Sequence, residues 1–249
     1  GNLTFPTKNY KGFNLYLDWE QKLLDYVLLG KHFDWSGNRV AYYLMGDVDD
    51  KSVDANEYRF AKDWPVPYEN NTWYLNSTSG IGLSNGTMAS NNLNHSYLFD
   101  PRNPVPTVGG NNLILNSGPY DQREVEVRDD VLVFTSNSLV EPYTIVGRIW
   151  AELFVKSNCT NTDFTVKLCD VYPDGRSILI TDGIINAARR DGFNKTAPDL
   201  NASGVQKVII DLWSTAYQFN TGHKIPAPTP TSTSPSSGST RTTAEGTRC

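Results

Sequence analysis

Cysteine is scarce in this chain. Cys159, Cys169 and Cys249 are too few for a disulfide framework or a cysteine-rich zinc site. Cys159 falls in a predicted turn and Cys169 lies on the strand that follows, ~20 Å away at strand rise. The two are therefore not expected to bridge, and both read as unpaired thiols. Histidine is equally rare. His32, His95 and His223 stand apart from one another and from any cysteine or carboxylate at a ligand spacing, so no metal and no cofactor is implied. Positive charge is in deficit, with a net charge of −5, which argues against nucleic acid as a partner. No apolar run approaches the roughly 20 residues of a membrane-crossing helix. No charged-then-apolar leader opens the sequence.

What is present reads as globular. Hydrophobic residues make up 39% and charged residues 20%, and 249 residues suffice for one large or two modest domains. Asp18 to Gly30 carries a helix pattern: Asp18 as cap, Gln21 at the capping-box position, Gly30 at the C-terminal cap, and Trp19, Leu23, Leu24, Val27 and Leu28 on one face. Val40 to Met45 is apolar throughout, the pattern of a strand buried on both faces in a parallel sheet. From Trp73 onward short alternating strands are separated by Gly, Asn and Pro turns. Ile149, Ala151, Leu153 and Val155 share one face, opposite Arg148 and Glu152. Phe164, Val166 and Leu168 repeat the pattern, and Val208 to Trp213 forms a late core strand. Tyr172-Pro173-Asp174-Gly175 is a turn in which Pro presets φ and Gly accepts a positive φ. Residues 226–249 are rich in Pro, Thr and Ser, as in a flexible or O-glycosylated tail.

Sequons start at Asn2, Asn70, Asn76, Asn85, Asn94, Asn158, Asn194 and Asn201. Each marks a surface position for a glycan if the chain enters a secretory pathway, so a secreted or lumenal location is expected. Gly82-Leu83-Ser84-Asn85-Gly86 matches the G-x-S-x-G string of a nucleophile elbow. That chemistry needs a buried strand ending before the serine and a helix starting after it. Here polar loop sequence lies on both sides, and Ser84 reads as a turn residue. Asp47, Asp49 and Asp50 lack the glycine-centred spacing of a calcium loop and read as a solvated acidic turn.

Three ordered segments carry a resemblance. They are Leu98 to Gly110; Gly118-Pro119-Tyr120-Asp121-Gln122-Arg123 leading into Arg128 to Leu132; and Thr162 to Leu168 continuing through Asp170 to Arg176 and Thr181-Asp182-Gly183. Together they resemble the C-terminal domain of the cocaine esterase and Xaa-Pro dipeptidyl-peptidase (CocE/NonD) family of serine hydrolases. Asp63-Trp64-Pro65 is similar to that family's link from its hydrolase domain, and Tyr43-Leu44-Met45-Gly46 resembles its last hydrolase strand. The likeness spans residues from about 10 to 225.

The resemblance implies a mainly β fold: a jelly-roll, galactose-binding-like β-sandwich, preceded by the last helix and strand of a truncated α/β-hydrolase domain. Its divisions are 1–65 for the hydrolase remnant, 66–225 for the jelly roll and 226–249 for the tail. The family's Ser-His-Asp triad is expected upstream of Gly1, so no catalytic residue is assigned. The substrate-binding positions that match are Leu113 and Ile114, which would reach the parent's pocket; otherwise they are ordinary strand-core residues. After Ile225 the likeness stops, and Pro226 to Ser236 is not expected to form the family's next strand. The same codons read in a shifted frame permit a Ser-Ser-Asn-rich run resembling the family's continuation. The tail is therefore expected to be out of frame or mis-spliced. The implied function is the non-catalytic C-terminal part of a secreted serine hydrolase acting on a small ester or peptide substrate. The alternative is a stand-alone β-sandwich binding module, for carbohydrate for example, using Trp73 and Tyr74. A self-sufficient enzyme built on Ser84 is the third reading.

Overall fold

The structure is a computed structural model that describes residues 3–6, 8, 15–32, 37, 39–76, 82–85, 94–202, 204–230 and 240–243. The element order begins with helix α1 (Leu15–Leu29), strands β1 (Val40–Gly46), β2 (Glu57–Ala61), β3 (Trp73–Asn76), β4 (Gly82–Asn85) and β5 (Ser96–Phe99), and the short helix α2 (Arg123–Glu126). It continues with β6 (Val131–Ser136), β7 (Tyr143–Ser157), β8 (Asp163–Val171), β9 (Ser177–Asn186), β10 (Gln206–Phe219), β11 (Pro226–Pro230) and β12 (Thr240–Thr243). The fold is mainly β.

The long antiparallel pair β7 and β10 forms the spine, running from Gln206 opposite Val155 to Phe219 opposite Tyr143. The alternation in their sequences sorts inner from outer faces. Val208, Ile210 and Leu212 of β10 are buried, while Lys207, Ile209 and Trp213 are exposed. The inner face packs on β8, which contributes Phe164 and Val166, and Val155, Ala187 and Leu200 complete this core cluster. A second cluster, with Leu83, Phe134, Tyr217, Phe219 and Ile225, joins β10 to the β11-β6-β4-β3 sheet. Each fully buried aliphatic or aromatic side chain contributes about 1.5–3 kcal/mol of transfer free energy.

Two strands differ from expectation. β1 is not buried on both faces, since only Leu44 and Gly46 are buried. It lies at the side of the spine, parallel to β10 (Met45 opposite Tyr217) and antiparallel to β2. One face of such a strand needs covering and the other is partly open. β11 is a strand despite its prolines. Ile225 exchanges bonds with Ser136, its N–H donating to Ser136 Oγ at 2.9 Å and its carbonyl accepting from the Ser136 N–H at 3.0 Å. Odd-numbered residues thus face β6, and Pro226, Pro228 and Pro230 turn their donor-less nitrogens away from it. On the other side, Lys224 and Val171 exchange backbone bonds at 2.9 Å. Pro226, next in phase, has no N–H to continue that ladder.

The helix begins at Leu15, three residues before the expected Asp18 cap, and stops at Gly30, whose φ of +62° suits the C-terminal cap. The Tyr172–Gly175 turn closes as read, with the Gly175 N–H donating to the Tyr172 carbonyl at 2.9 Å. Cys159 is disulfide-bonded, which corrects the reading of two free thiols, while Cys169 is free and fully buried.

β9 crosses β10 where Gly183 meets Asp211, and a Cβ at Gly183 would stand 2.2 Å from the Asp211 carbonyl oxygen. Gly183→Ala is predicted to lower stability in urea denaturation by about 1–3 kcal/mol. Gly204→Ala, where a Cβ meets nothing within 4 Å, stays near zero. Equal effects at the two sites would contradict this packing.

Candidate functional site

The chain between β5 and β6 builds the most exposed apolar feature among the described residues on a rigid base. Gln122 is fully buried. Its Nε2 donates to the carbonyls of Val108 at 2.9 Å and Tyr120 at 3.0 Å, and its Oε1 accepts from Lys167 Nζ at 2.7 Å. These bonds clamp both ends of residues 109–119. Burial pushes the Lys167 ammonium pKa down, against the pull of nearby Asp182 and Glu126. Gly109 and Gly110 take φ values of +65° and +82°, and Gly110 exchanges backbone bonds with Gly118 at 2.8 and 3.0 Å. A Cβ at Gly109 would lie 2.5 Å from the Gly118 carbonyl oxygen, so only glycine fits there. Inside the closed loop, Asn112 Nδ2 donates to the Gly109 carbonyl and Asn112 Oδ1 accepts from the Leu115 N–H, both at 2.8 Å. Leu113 and Ile114 sit at the tip, 103% and 95% exposed. They are therefore not strand-core residues, and the loop presents both side chains outward.

A second constellation was not read from the sequence. His223, 2% exposed, lies between two carboxylates. Its Nδ1 is 2.9 and 3.0 Å from the Asp170 oxygens, and its Nε2 is 3.3 Å from Asp47 Oδ2. Asp170 also accepts from the Tyr217 hydroxyl at 2.7 Å, and the Tyr172 ring stacks 4.4 Å from the imidazole. Asn220 Nδ2 donates to Asp47 at 3.2 Å and to Asp50 at 3.0 Å. Arg176 sits 4.5 Å over the Tyr172 ring and pairs with Asp49 and Asp174. The acidic turn Asp47–Asp50 is thus bonded into the domain rather than solvated. No local pattern announces this, because Asp170 and His223 are 53 residues apart in the chain.

Burial alone would lower the His223 pKa, but its hydrogen bond and charge interaction with Asp170, and then Asp47, outweigh it and raise it. Nucleophilic catalysis would need a serine or cysteine on one ring nitrogen. Both nitrogens face carboxylates, so the geometry is that of a buried ionic clasp.

Ser84 lies within β4, paired with Tyr74 of β3, where an elbow would place it on a sharp turn between strand and helix. Trp73 and Tyr74 are half-buried, and Trp73 stacks on Tyr143 at 5.5 Å, so they do not form an exposed platform. Among the sequons, Asn70, Asn94, Asn194 and Asn201 are exposed and Asn158 is half-buried. Asn2 and the side chains of Asn76 and Asn85 lie outside the described residues. His32 is exposed beyond α1, and His95 packs edge-on against Phe134 at 5.9 Å.

The described residues thus form a mainly β domain with an outward apolar loop and a buried clasp. The chain belongs to the family of the X-Pro dipeptidyl-peptidase C-terminal non-catalytic domain, whose model matches residues 35–227. It is 36% identical over 197 residues to cocaine esterase from Rhodococcus sp. (strain MB1 Bresler), covering 75% of this chain and 33% of that protein. It is 32% identical over 111 residues to putative serine esterase Mb1866c from Mycobacterium bovis, covering 38% of this chain and 18% of that protein. The chain thus spans a third or less of these curated relatives. Its fold is similar to that of an α-amino acid ester hydrolase, with a TM-score of 0.72 at 20% identity over 90% of this chain and 41% of that one. An aminopeptidase from a marine sediment Thaumarchaeota archaeon also gives 0.72, at 23% identity over 90% and 40%.

His223→Ala leaves two buried carboxylates without a cation and is predicted to cost about 3–5 kcal/mol, measured by denaturant unfolding. The raised folded-state pKa also fixes a sign. The clasp's contribution is fully present below the unfolded histidine value near 6.5, and is lost as pH rises through the higher folded value. Melting temperature should therefore fall above about pH 6.5 in the native chain and less so in His223→Gln. A rise over that interval would contradict the assignment.

Proposed function

We propose that this chain is the non-catalytic C-terminal part of a secreted serine hydrolase, a jelly-roll β-sandwich carrying the last helix and strand of an α/β-hydrolase domain. The parent cleaves small esters or Xaa-Pro peptides. A serine attacks the carbonyl, a histidine takes its proton, and backbone donors hold the oxyanion. The contribution of this chain is a pocket wall.

The carrying observation is the Leu113–Ile114 tip. Two apolar side chains in water on a loop braced by Gln122 and Lys167 have no internal role, and an adjoining domain would cover them. α1 supports the same reading. Leu24, Val27 and Leu28 form the apolar face expected from the sequence, yet they are 48%, 64% and 71% exposed. The exposed sequons at Asn70, Asn94, Asn194 and Asn201 are compatible with passage through a secretory pathway.

The purified chain is expected to release no chromophore from an activated ester. Turnover that disappears in Ser84→Ala would contradict this reading. In the full-length parent, Ile114→Ala should lower kcat/KM for bulky acyl groups about tenfold or more. The melting temperature of the isolated chain should not move, because the side chain is 95% exposed in this domain. An unchanged acyl preference would remove Ile114 from the pocket.

A further inference from the structure

A cleft of about 1450 Å³ runs beside β7, and its wall includes Tyr42, Trp64, Tyr68, Asn70 and Trp150. Trp64, Tyr68 and Trp150 are 42%, 60% and 55% exposed. Tyr42 braces Trp64 edge-on, with ring centroids 6.0 Å apart. Aromatic rings gathered in water at one cleft call for an apolar face to cover them. Charges on the neighbouring strands are matched, Arg148 with Asp211 and Lys207 with Glu152. A neutral ligand with an apolar face and polar edges fits. A pyranose ring has that character, with C–H groups on its faces and hydroxyls around its rim.

The sequon places such a ligand on the spot. Residues 68–72 run without turn or bend into β3. In an extended chain alternate residues share a side, ~7 Å apart, which groups Tyr68, Asn70 and Thr72. Asn70 carries an aromatic residue two positions upstream; exposed Asn94, Asn194 and Asn201 have Asn92, Gly192 and Asp199 there.

We propose that an N-linked glycan on Asn70 is a structural part of this domain, its first sugar packing on Tyr68 and closing the aromatic cleft. The inference rests on the secretory reading above. Attachment joins Asn70 Nδ2 to the sugar C1 as the C1–O bond to a lipid-diphosphate-linked oligosaccharide breaks; the amide loses one proton and the lipid diphosphate leaves. The sugar's apolar face then covers the phenol ring, removing both from water.

The test uses the whole chain secreted from a glycosylating host, with occupancy read by glycopeptide mass spectrometry. Asn70→Gln and Thr72→Ala should each lower the melting temperature by about 2–4 °C, a shift of the size a modest contact gives in a domain this large. Trimming with endoglycosidase H, which leaves one N-acetylglucosamine, should preserve it. Tyr68→Ala should lower the melting temperature of the glycosylated chain and add nothing in the Asn70→Gln background. An occupied Asn70 whose loss changes nothing overturns the proposal, as does a Tyr68→Ala effect of equal size in both backgrounds. Sugar at Asn94, Asn194 or Asn201 but not Asn70 overturns the proposal and leaves the secretory reading standing. Sugar at no site overturns both.

Discussion

A histidine enclosed by two carboxylates and shut off from water has its pKa raised by those neighbours, and the cluster ties three separate parts of the chain together. Asp47 comes from the turn after β1, Asp170 from the end of β8, and His223 from the turn between β10 and β11. Burying an ion costs several kcal/mol, so a partly assembled cluster would be worse than an apolar one. Assembly here is extensive. Tyr217, Asn220 and Arg176 supply further bonds and cover around the carboxylates. The clasp therefore acts as an all-or-none register for the β1–β2 hairpin against the β-domain, reinforced by the parallel pairing of β1 with β10.

The second polar network has a different task. Gln122 and Lys167 spend their hydrogen bonds on the base of one loop, and the two glycines above them close it. The outcome is a rigid stem with apolar residues at its tip. Rigid stems suit interfaces because little conformational entropy is lost when a partner surface closes over them. The exposed face of α1 has the same logic. Both features have the character of docking surfaces, the role that the proposed function gives them.

Much of the fold was legible because β-strands write their burial at period two. The alternation in Ile149 to Val155 marked the inner face of β7, and Val208 to Trp213 was legible as a core strand, although Ile209 and Trp213 turn outward. The Pro-Asp-Gly turn and the Gly30 cap were readable from local backbone preference. Sequence failed where partners are distant. The clasp and the bonded acidic turn join residues with no common local pattern. It also failed where a local rule was applied without its geometry. The Pro-rich segment after Ile225 was not expected to form the family's next strand, but its prolines fall at every second residue. That spacing puts every missing donor on one edge, and a strand paired along its other edge tolerates it.

The central claim is that His223 is a buried imidazolium held between Asp170 and Asp47. The most direct measurement is the nitrogen NMR spectrum of histidine-labelled protein across pH 5 to 9. The account predicts that the His223 resonances keep the protonated pattern above pH 6.5 in the folded chain. A neutral-tautomer pattern for His223 at pH 6.5 in the folded chain would contradict it.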